Sequence, residues 1–103
     1  VRSRRQRQMC IRDRDIEICV KKLPVDMTEE EHFHLCSFEF LIVLDGLVEY
    51  NIAGKKHMLK AGTFYMLEPG DTEHIVQVVK ETTIMAIRLP SIPNNKIMTK
   101  QKD

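Results

Sequence analysis

Turn-forming residue pairs divide most of the sequence into short segments rich in apolar, β-branched and aromatic residues. Glycine accepts the positive φ of many tight turns, and proline is common at the turn position just before such a glycine. The pairs are Asp45-Gly46, Ala53-Gly54, Ala61-Gly62 and Pro69-Gly70. Turn signals recur every eight to twelve residues, which suits β-strands and leaves no room for a long helix. We predict eight strands, over residues 16–21, 32–36, 38–44, 47–52, 56–60, 63–68, 74–79 and 82–89.

Eight short strands without a helix predict an all-β fold. Strands of this number and length suit an antiparallel double-stranded β-helix, also called a jelly-roll β-barrel. The chain has 103 residues, which is enough for one domain with a modest core. We expect a single domain over residues 15–103, with a C-terminal tail from about residue 90, where prolines and asparagines replace the strand pattern.

The first 14 residues differ from the rest in charge. They contain six arginines and one aspartate, a balance of +5, whereas the remaining 89 residues contain 10 basic and 14 acidic residues, a balance of −4. The segment has no apolar periodicity, so we expect residues 1–14 to be a disordered basic arm. Residues 5–14 also resemble a translated adapter sequence, so we interpret the arm as non-native. The acidic remainder argues against a nucleic-acid partner, and no apolar run approaches the length of a membrane span.

The cysteines are three in number and have no C-x-x-C spacing. They are Cys10, Cys19 and Cys36. Without that spacing or a secretory signal, we expect free thiols in a reducing compartment and therefore a cytoplasmic protein.

The histidines suggest a metal site. His32 and His34 are two residues apart on a predicted strand, so both imidazoles point to the same face. Glu39 can supply an oxygen ligand from the adjoining strand. His74 can complete the set only if the fold returns to the same place, which a closed sheet would allow. His57 stands beside two lysines near a turn, and we expect it on the surface.

These residues resemble the two conserved motifs of the cupin superfamily, and the chain resembles a small single-domain type-2 cupin. The first motif corresponds to His32-x-His34-(x)4-Glu39-(x)6-Gly46, and the second to Gly62-(x)6-Pro69-(x)4-His74. The 15 residues between the motifs match the shortest common spacing in the superfamily. Three positions depart from the usual pattern: Asp26 and Asp71 occupy usual glycine positions, and Val78 occupies a usual asparagine position.

The resemblance implies a function. In metal-binding cupins the corresponding residues hold a divalent ion, here His32, His34, Glu39 and His74. Three imidazoles and one carboxylate suit Mn, Fe, Ni, Cu, Co or Zn and leave coordination positions open. The resemblance thus implies a metal-dependent enzyme of dioxygenase, isomerase or lyase type acting on a small molecule. The alternatives are a metal-free polar cluster, and a non-catalytic module that binds a sugar-like molecule or senses one, as in arabinose-type regulators. No catalytic residue beyond these ligands is indicated.

We also expect a homodimer. The core of so small a domain is modest, and residues 38–44 carry apolar side chains on both faces of their predicted strand. One barrel interior covers only one of those faces.

Overall fold

The computed structural model describes residues 7–12, 15–92 and 95–99, and its regular secondary structure there consists of β-strands. Every pairing between these strands is antiparallel. This confirms the predicted all-β jelly-roll barrel. In this part of the chain no helix has the length and hydropathy of a membrane span. The strands are β1 (Arg7–Arg12), β2 (Glu17–Leu23), β3 (His32–His34), β4 (Phe38–Ile52), β5 (Lys55–Lys60), β6 (Phe64–Leu67), β7 (Thr72–Leu89) and β8 (Lys96–Met98).

Two long strands, β4 and β7, organise the barrel. They pair with each other along most of their length, and each continues from one layer of the barrel into the other. The first layer contains β1, β2, the C-terminal half of β7, the N-terminal half of β4, and β6. The second contains β8, β3, the N-terminal half of β7, the C-terminal half of β4, and β5.

Asp45-Gly46 is not the hairpin that the sequence suggested. The predicted strands 38–44 and 47–52 are one continuous strand, and so are 74–79 and 82–89. Gly46 has a φ of 101° at a point where the register between β4 and β7 shifts. A Cβ there would collide with Glu81 and Thr82 of β7. The glycine therefore allows a close approach that bends the strand without reversing it. Pro69-Gly70 does form the expected turn, in which Asp71 N donates to Glu68 O at 3.0 Å.

The core fills the space between the two layers. Alternate residues of β4 and β7 point inward, as the period of two predicts. Burial of an aliphatic or aromatic side chain contributes about 1.5–3 kcal/mol, so this cluster supplies most of the stability of the barrel. Its buried members are Leu23, Leu41, Val43, Val48, Tyr50, Ile52, Leu59, Leu67, Ile75, Val78, Ile84 and Ala86.

Part of the N-terminal arm is ordered, in contrast to the predicted disorder. Residues 7–12 form β1, which pairs with β2 along its whole length; the rest of the arm lies outside the described residues. Cys10 and Cys19 are directly opposite each other in this pairing and form a disulfide, so the expectation of three free thiols is corrected. Sequence spacing does not reveal such a pair because strand register creates it. Cys36 is free and exposed. The cytoplasmic location stays a prediction.

Candidate metal centre

The two histidines of β3 point into the barrel. Both are buried, with exposed fractions of 4% for His32 and 6% for His34. Nδ1 of His32 lies 3.0 Å from the carbonyl oxygen of Glu30, which accepts its hydrogen bond. A backbone acceptor on Nδ1 selects the tautomer whose Nε2 lone pair is available to a metal ion. The bond thus fixes the ring in an orientation suited to coordination.

Two carboxylates face these rings. Glu73 of β7 is paired with His32 in register, and its Oε2 lies 3.9 Å from His32 Nε2 and 3.6 Å from His34 Nε2. Glu39 of β4 places Oε1 3.7 Å from His34 Nε2. Glu73 Oε2 and Glu39 Oε1 are buried and have no hydrogen-bond partner among the described residues.

The spacing of these atoms fits a metal ion. Ligand atoms lie about 2.0–2.2 Å from a transition-metal ion, so two ligands of one ion are roughly 3–4 Å apart. The three distances of 3.6 to 3.9 Å are too long for good hydrogen bonds and lie within that range. His32, His34 and Glu73 each offer one ligand atom, and these three atoms all lie within 4.8 Å of one another. Two buried carboxylate oxygens without partners are the atoms that a cation would satisfy.

Burial and charge set the protonation of the cluster. Burial lowers the pKa of His32, and it lowers the pKa of His34 to about 4. Both imidazoles are therefore neutral near pH 7, as coordination requires. Burial also raises the pKa of Glu73 well above its usual value, and the nearby charge of Glu39 raises it further. For Glu39 burial acts in the same direction, but the hydrogen bond with Glu73 and the charge of Arg88 outweigh it and lower the pKa. The two neighbouring carboxyl groups therefore have pKa values shifted in opposite directions, upward for Glu73 and downward for Glu39.

Arg88 of β7 borders the cluster. Its Nη2 donates to Glu39 Oε2 at 2.9 Å, and its Nη1 lies 3.4 Å from Glu17 Oε2. Its Nε donates to His34 Nε2 at 3.2 Å. Arg88 thus neutralises Glu39 and also contacts the imidazole nitrogen that would bind a metal.

A cavity of about 650 Å³ opens beside these groups. His32, His34, Glu73 and Arg88 form part of its wall, so the cluster is accessible to a small molecule. Further charged residues line it from β2, β8 and the segment before β3, namely Glu17, Lys21, Glu29 and Lys96.

The C-terminal segment closes one side of this cavity. Strand β8 pairs with β3, so that Lys96 is opposite His34. The buried side chain of Asn95 accepts a hydrogen bond from Cys36 N at 2.6 Å and donates to Ser37 Oγ. Since β3 has only three residues, these contacts hold the histidine strand in place.

Comparison with known proteins agrees with this architecture. A family model described as a cupin domain matches residues 20–88, which is more than half of the 103 residues. The chain belongs to the cupin family. This confirms the resemblance drawn from the two motifs. A search of curated proteins finds no match.

Solved cupin-type structures share the fold at low sequence identity. KdgF from Halomonas sp. has a TM-score of 0.78 at 14% identity, covering 86% of this chain and 82% of that chain. An RmlC-like cupin from Shewanella frigidimarina has a TM-score of 0.78 at 12% identity, covering 86% and 79%. The DMSP lyase DddQ from Ruegeria pomeroyi has a TM-score of 0.81 at 14% identity, covering 92% of this chain and 52% of that chain. This cupin therefore spans about half the length of DddQ.

At the end of the second cupin motif, the residue that faces the cluster is not the one that the motif predicts. Glu73, not His74, lies beside His32 and His34. On β4, Glu49 pairs with Gln77 and Tyr50 pairs with Ile75, so Val76 is an extra residue in β7. Such a β-bulge shifts the alternation by one, and it turns Glu73 and Ile75 inward. His74 is paired with Asn51 on the opposite face, half-buried. His74 as a ligand stays a prediction from the sequence, and the geometry favours Glu73.

Two residues at this cupin site, Glu73 and Arg88, were not predicted from the sequence. Neither residue was among the ligands expected from the cupin motifs, in which His74 is the residue after Glu73. The sequence signal for Arg88 was a lone charge near the end of an apolar strand, whereas its position opposite Glu39 is given only by the sheet register. His57 is half-buried rather than surface-exposed, and its Nε2 lies 3.4 Å from the Tyr65 hydroxyl, away from the cavity wall.

Asp26 shows why one departure from the cupin pattern is harmless. It occupies a usual glycine position and has a φ of 68°. Aspartate tolerates this left-handed conformation better than most residues do. Its backbone N donates to Val78 O at 3.1 Å, so the turn before β3 is retained.

Proposed function

We propose that this cupin is a metal-dependent enzyme that acts on a small molecule, with His32, His34 and Glu73 holding a divalent transition-metal ion. The observation that carries the proposal is the position of the three ligand atoms, which lie together in the wall of a cavity of about 650 Å³. Ligands that are accessible from a cavity leave coordination positions for a substrate or water.

Each residue has a distinct role in this proposal. His32 and His34 bind the ion through Nε2, and the backbone carbonyl of Glu30 orients the first ring. Glu73 would hold the ion as the carboxylate, through Oε2, which faces both imidazoles. Glu39 supplies Oε1 as a fourth ligand, or accepts a hydrogen bond from a ligand bound to the site. When bound, the ion supplies Lewis acidity toward an oxygen of the substrate.

The donor set restricts the metal. Imidazole nitrogens with carboxylate oxygens suit Mn, Fe, Co, Ni, Cu or Zn, whereas Ca and Mg prefer oxygen ligands alone.

The similar fold of a DMSP lyase supports the lyase class as one reaction type for such a scaffold. The cavity lining supports a small polar substrate, because most of its residues are charged or polar.

A metal-free binding module is the second candidate, and one contact favours it. Arg88 Nε donates to His34 Nε2, the atom that the ion requires. In that case Arg88 neutralises Glu39 permanently, and the polar cluster binds a small molecule directly, as in a sensor domain.

Metal titration separates the two candidates. Protein prepared without an affinity tag and freed of metal by chelation is titrated with each of the six metals by calorimetry. The enzyme proposal expects about one ion per chain, with a rise in the melting temperature because the ion binds only the folded state. His34→Ala should abolish this rise, whereas the matched control His57→Ala should preserve it. If no metal raises the melting temperature of the wild type, the metal-free candidate is correct.

We further propose a homodimer formed through the apolar outer face, a surface on the first layer made of cross-strand neighbours. Phe64 and Met66 are 59% and 47% exposed, and Phe64 packs edge-to-face on Phe40. An apolar surface that continues across several strands is typical of a protein interface. The second copy of the chain would contribute the same face, as in a two-fold dimer. The residues of the apolar outer face are Ile18, Val20, Phe40, Ile42, Phe64, Met66, Met85 and Ile87.

A further inference from the structure

Two lysines of the cavity wall come from opposite layers of the barrel. Lys21 is on β2 in the first layer, and Lys96 is on β8 in the second. Both line the same cavity as His32, His34 and Glu73. Neither has a carboxylate within 4.0 Å among residues 7–12, 15–92 and 95–99.

The inward direction of Lys21 follows from its neighbours. It is paired with Ile84, which is fully buried. On its own strand it lies two residues from Cys19 and from Leu23, so it shares the face of these two buried residues. Paired residues of adjacent strands point to the same side of a sheet. Lys21 therefore extends its aliphatic stem along the interior and presents its ammonium group to the cavity. An ammonium group held there without a carboxylate partner favours an anionic ligand.

Lys96 approaches from the opposite wall. It is paired with His34, so its side chain lies on the same side of the sheet as the imidazole. Lys96 is also close enough to the cluster to affect the pKa of His32. Burial is the largest cause that lowers this pKa, and the charge of Lys96 lowers it further. Strand β8 is held by Asn95, which fixes the start of the segment that carries Lys96.

The charge balance of the wall is positive once a metal is bound. Arg88 already pairs with Glu17 and Glu39. Three cationic side chains and the two charges of a divalent ion face four carboxylates, those of Glu17, Glu29, Glu39 and Glu73, which leaves one net positive charge. Glu29 is the carboxylate in this wall that lies outside both the Arg88 pairs and the metal cluster.

From this arrangement we infer that the cavity selects a small organic acid, whose carboxylate is bound by Lys21 and Lys96. The inference rests on the proposed function and names its substrate class. The two lysines determine which substrate is bound, and neither of them is a metal ligand. A neutral molecule of the same shape would accept no charge-assisted hydrogen bond from either ammonium group, so it should bind less tightly.

Calorimetry with succinate tests the inference, and succinamide serves as its uncharged isostere. Zinc-loaded wild type should bind succinate at least tenfold more tightly than succinamide. Lys21→Met and Lys96→Met should each weaken succinate binding about tenfold, as expected for loss of one charged hydrogen bond. The matched control Lys56→Met, an exposed residue of β5, should bind like the wild type. Glu29→Gln should tighten binding, because it removes a negative charge from the same wall.

The outcomes separate this inference from the metal proposal. Zinc affinity is measured for each lysine variant and should match that of the wild type. If the wild type fails to bind zinc, the metal proposal fails, and succinate titration of the metal-free protein still tests the lysines through the same variants. Equal binding of succinate and succinamide would overturn the inference. So would wild-type affinity for succinate in both lysine variants, or weaker binding in Glu29→Gln, which would indicate a cationic ligand.

Discussion

Arg88 is bound to Glu39 across the pair of central strands, with Nη2 donating to Oε2 at 2.9 Å. The two residues are direct partners in the register of β4 and β7, and Arg88 is also the partner of Glu17 on β2. One cation therefore links three strands and pairs with two carboxylates, of which Glu39 also faces His34. It occupies the position where a cation is needed when no metal is bound.

Replacement of Arg88 by methionine should destabilise the metal-free protein. Removal of one partner leaves the buried carboxylate of Glu39 uncompensated, at a cost of about 3 kcal/mol. In a domain of this size that cost lowers the melting temperature by roughly 12 °C or more. Added zinc should restore much of this loss, because His34 Nε2 is then free and the ion neutralises Glu39. Lys60→Met, at an exposed position, is the control. Loss of zinc binding in Arg88→Met would mean that Arg88 supports the ligand geometry.

Glu73→Gln and His74→Gln form a matched pair that tests the ligand set. Glu73 Oε2 faces both imidazoles, whereas His74 lies on the other face of β7. We expect Glu73→Gln to lower metal affinity by at least about a hundredfold, since loss of a direct ligand exceeds the usual effect of outer-shell changes. His74→Gln should change it by less than about threefold. Calorimetric titration measures both, and the reverse order would establish the ligand set predicted from the sequence.

Without metal, Glu73 should make the fold less stable as the pH rises above about 4.5. Burial raises its pKa well above the usual value. Above about pH 4.5 the unfolded chain loses this proton while the native state keeps it, so the native state loses stability as pH rises. Glu73→Gln removes this cost and should raise the melting temperature relative to the wild type more at pH 8 than at pH 5. The scan is made with a chelator present. A constant difference across this range would contradict the shift.

His34 should weaken the metal-free protein on the acid side. Its pKa is lowered to about 4 by burial, from a usual value of 6.5. Between these values the unfolded chain binds a proton that the native state rejects, so stability decreases as pH falls from 6.5 to 4, by about 3 kcal/mol in all. Urea unfolding at pH 7 and pH 4.5 should show a smaller decrease for His34→Gln than for the wild type. His57→Gln is the matched control and should behave like the wild type.

Charged residues on the apolar outer face should dissociate the proposed dimer. Light scattering of the wild type at micromolar concentration is expected to give twice the chain mass of 12.1 kDa. The double variant Phe64→Glu/Met66→Glu places charges on the face and should give a monomer. Met58→Glu is a suitable control, since Met58 is 55% exposed but lies on β5 in the other layer. A wild type that remains monomeric at all concentrations would refute the dimer.

Local sequence signals determined the fold class and half of the site. Alternation along each strand and the turn pairs predicted an all-β barrel, because both depend only on neighbouring residues. His32 and His34 were placed together for the same reason. Glu39 followed from the adjoining strand, and it does face His34.

The tertiary structure decided the remaining members of the site. Val76 bulges from β7 because of its pairing with β4, and that single extra residue exchanges His74 for Glu73 at the cluster. Strand register also brings Arg88 to Glu39 and Lys96 to His34. Sequence spacing determines which residues of one strand share a face, but only hydrogen bonding between distant strands determines which face turns inward and which residues meet there.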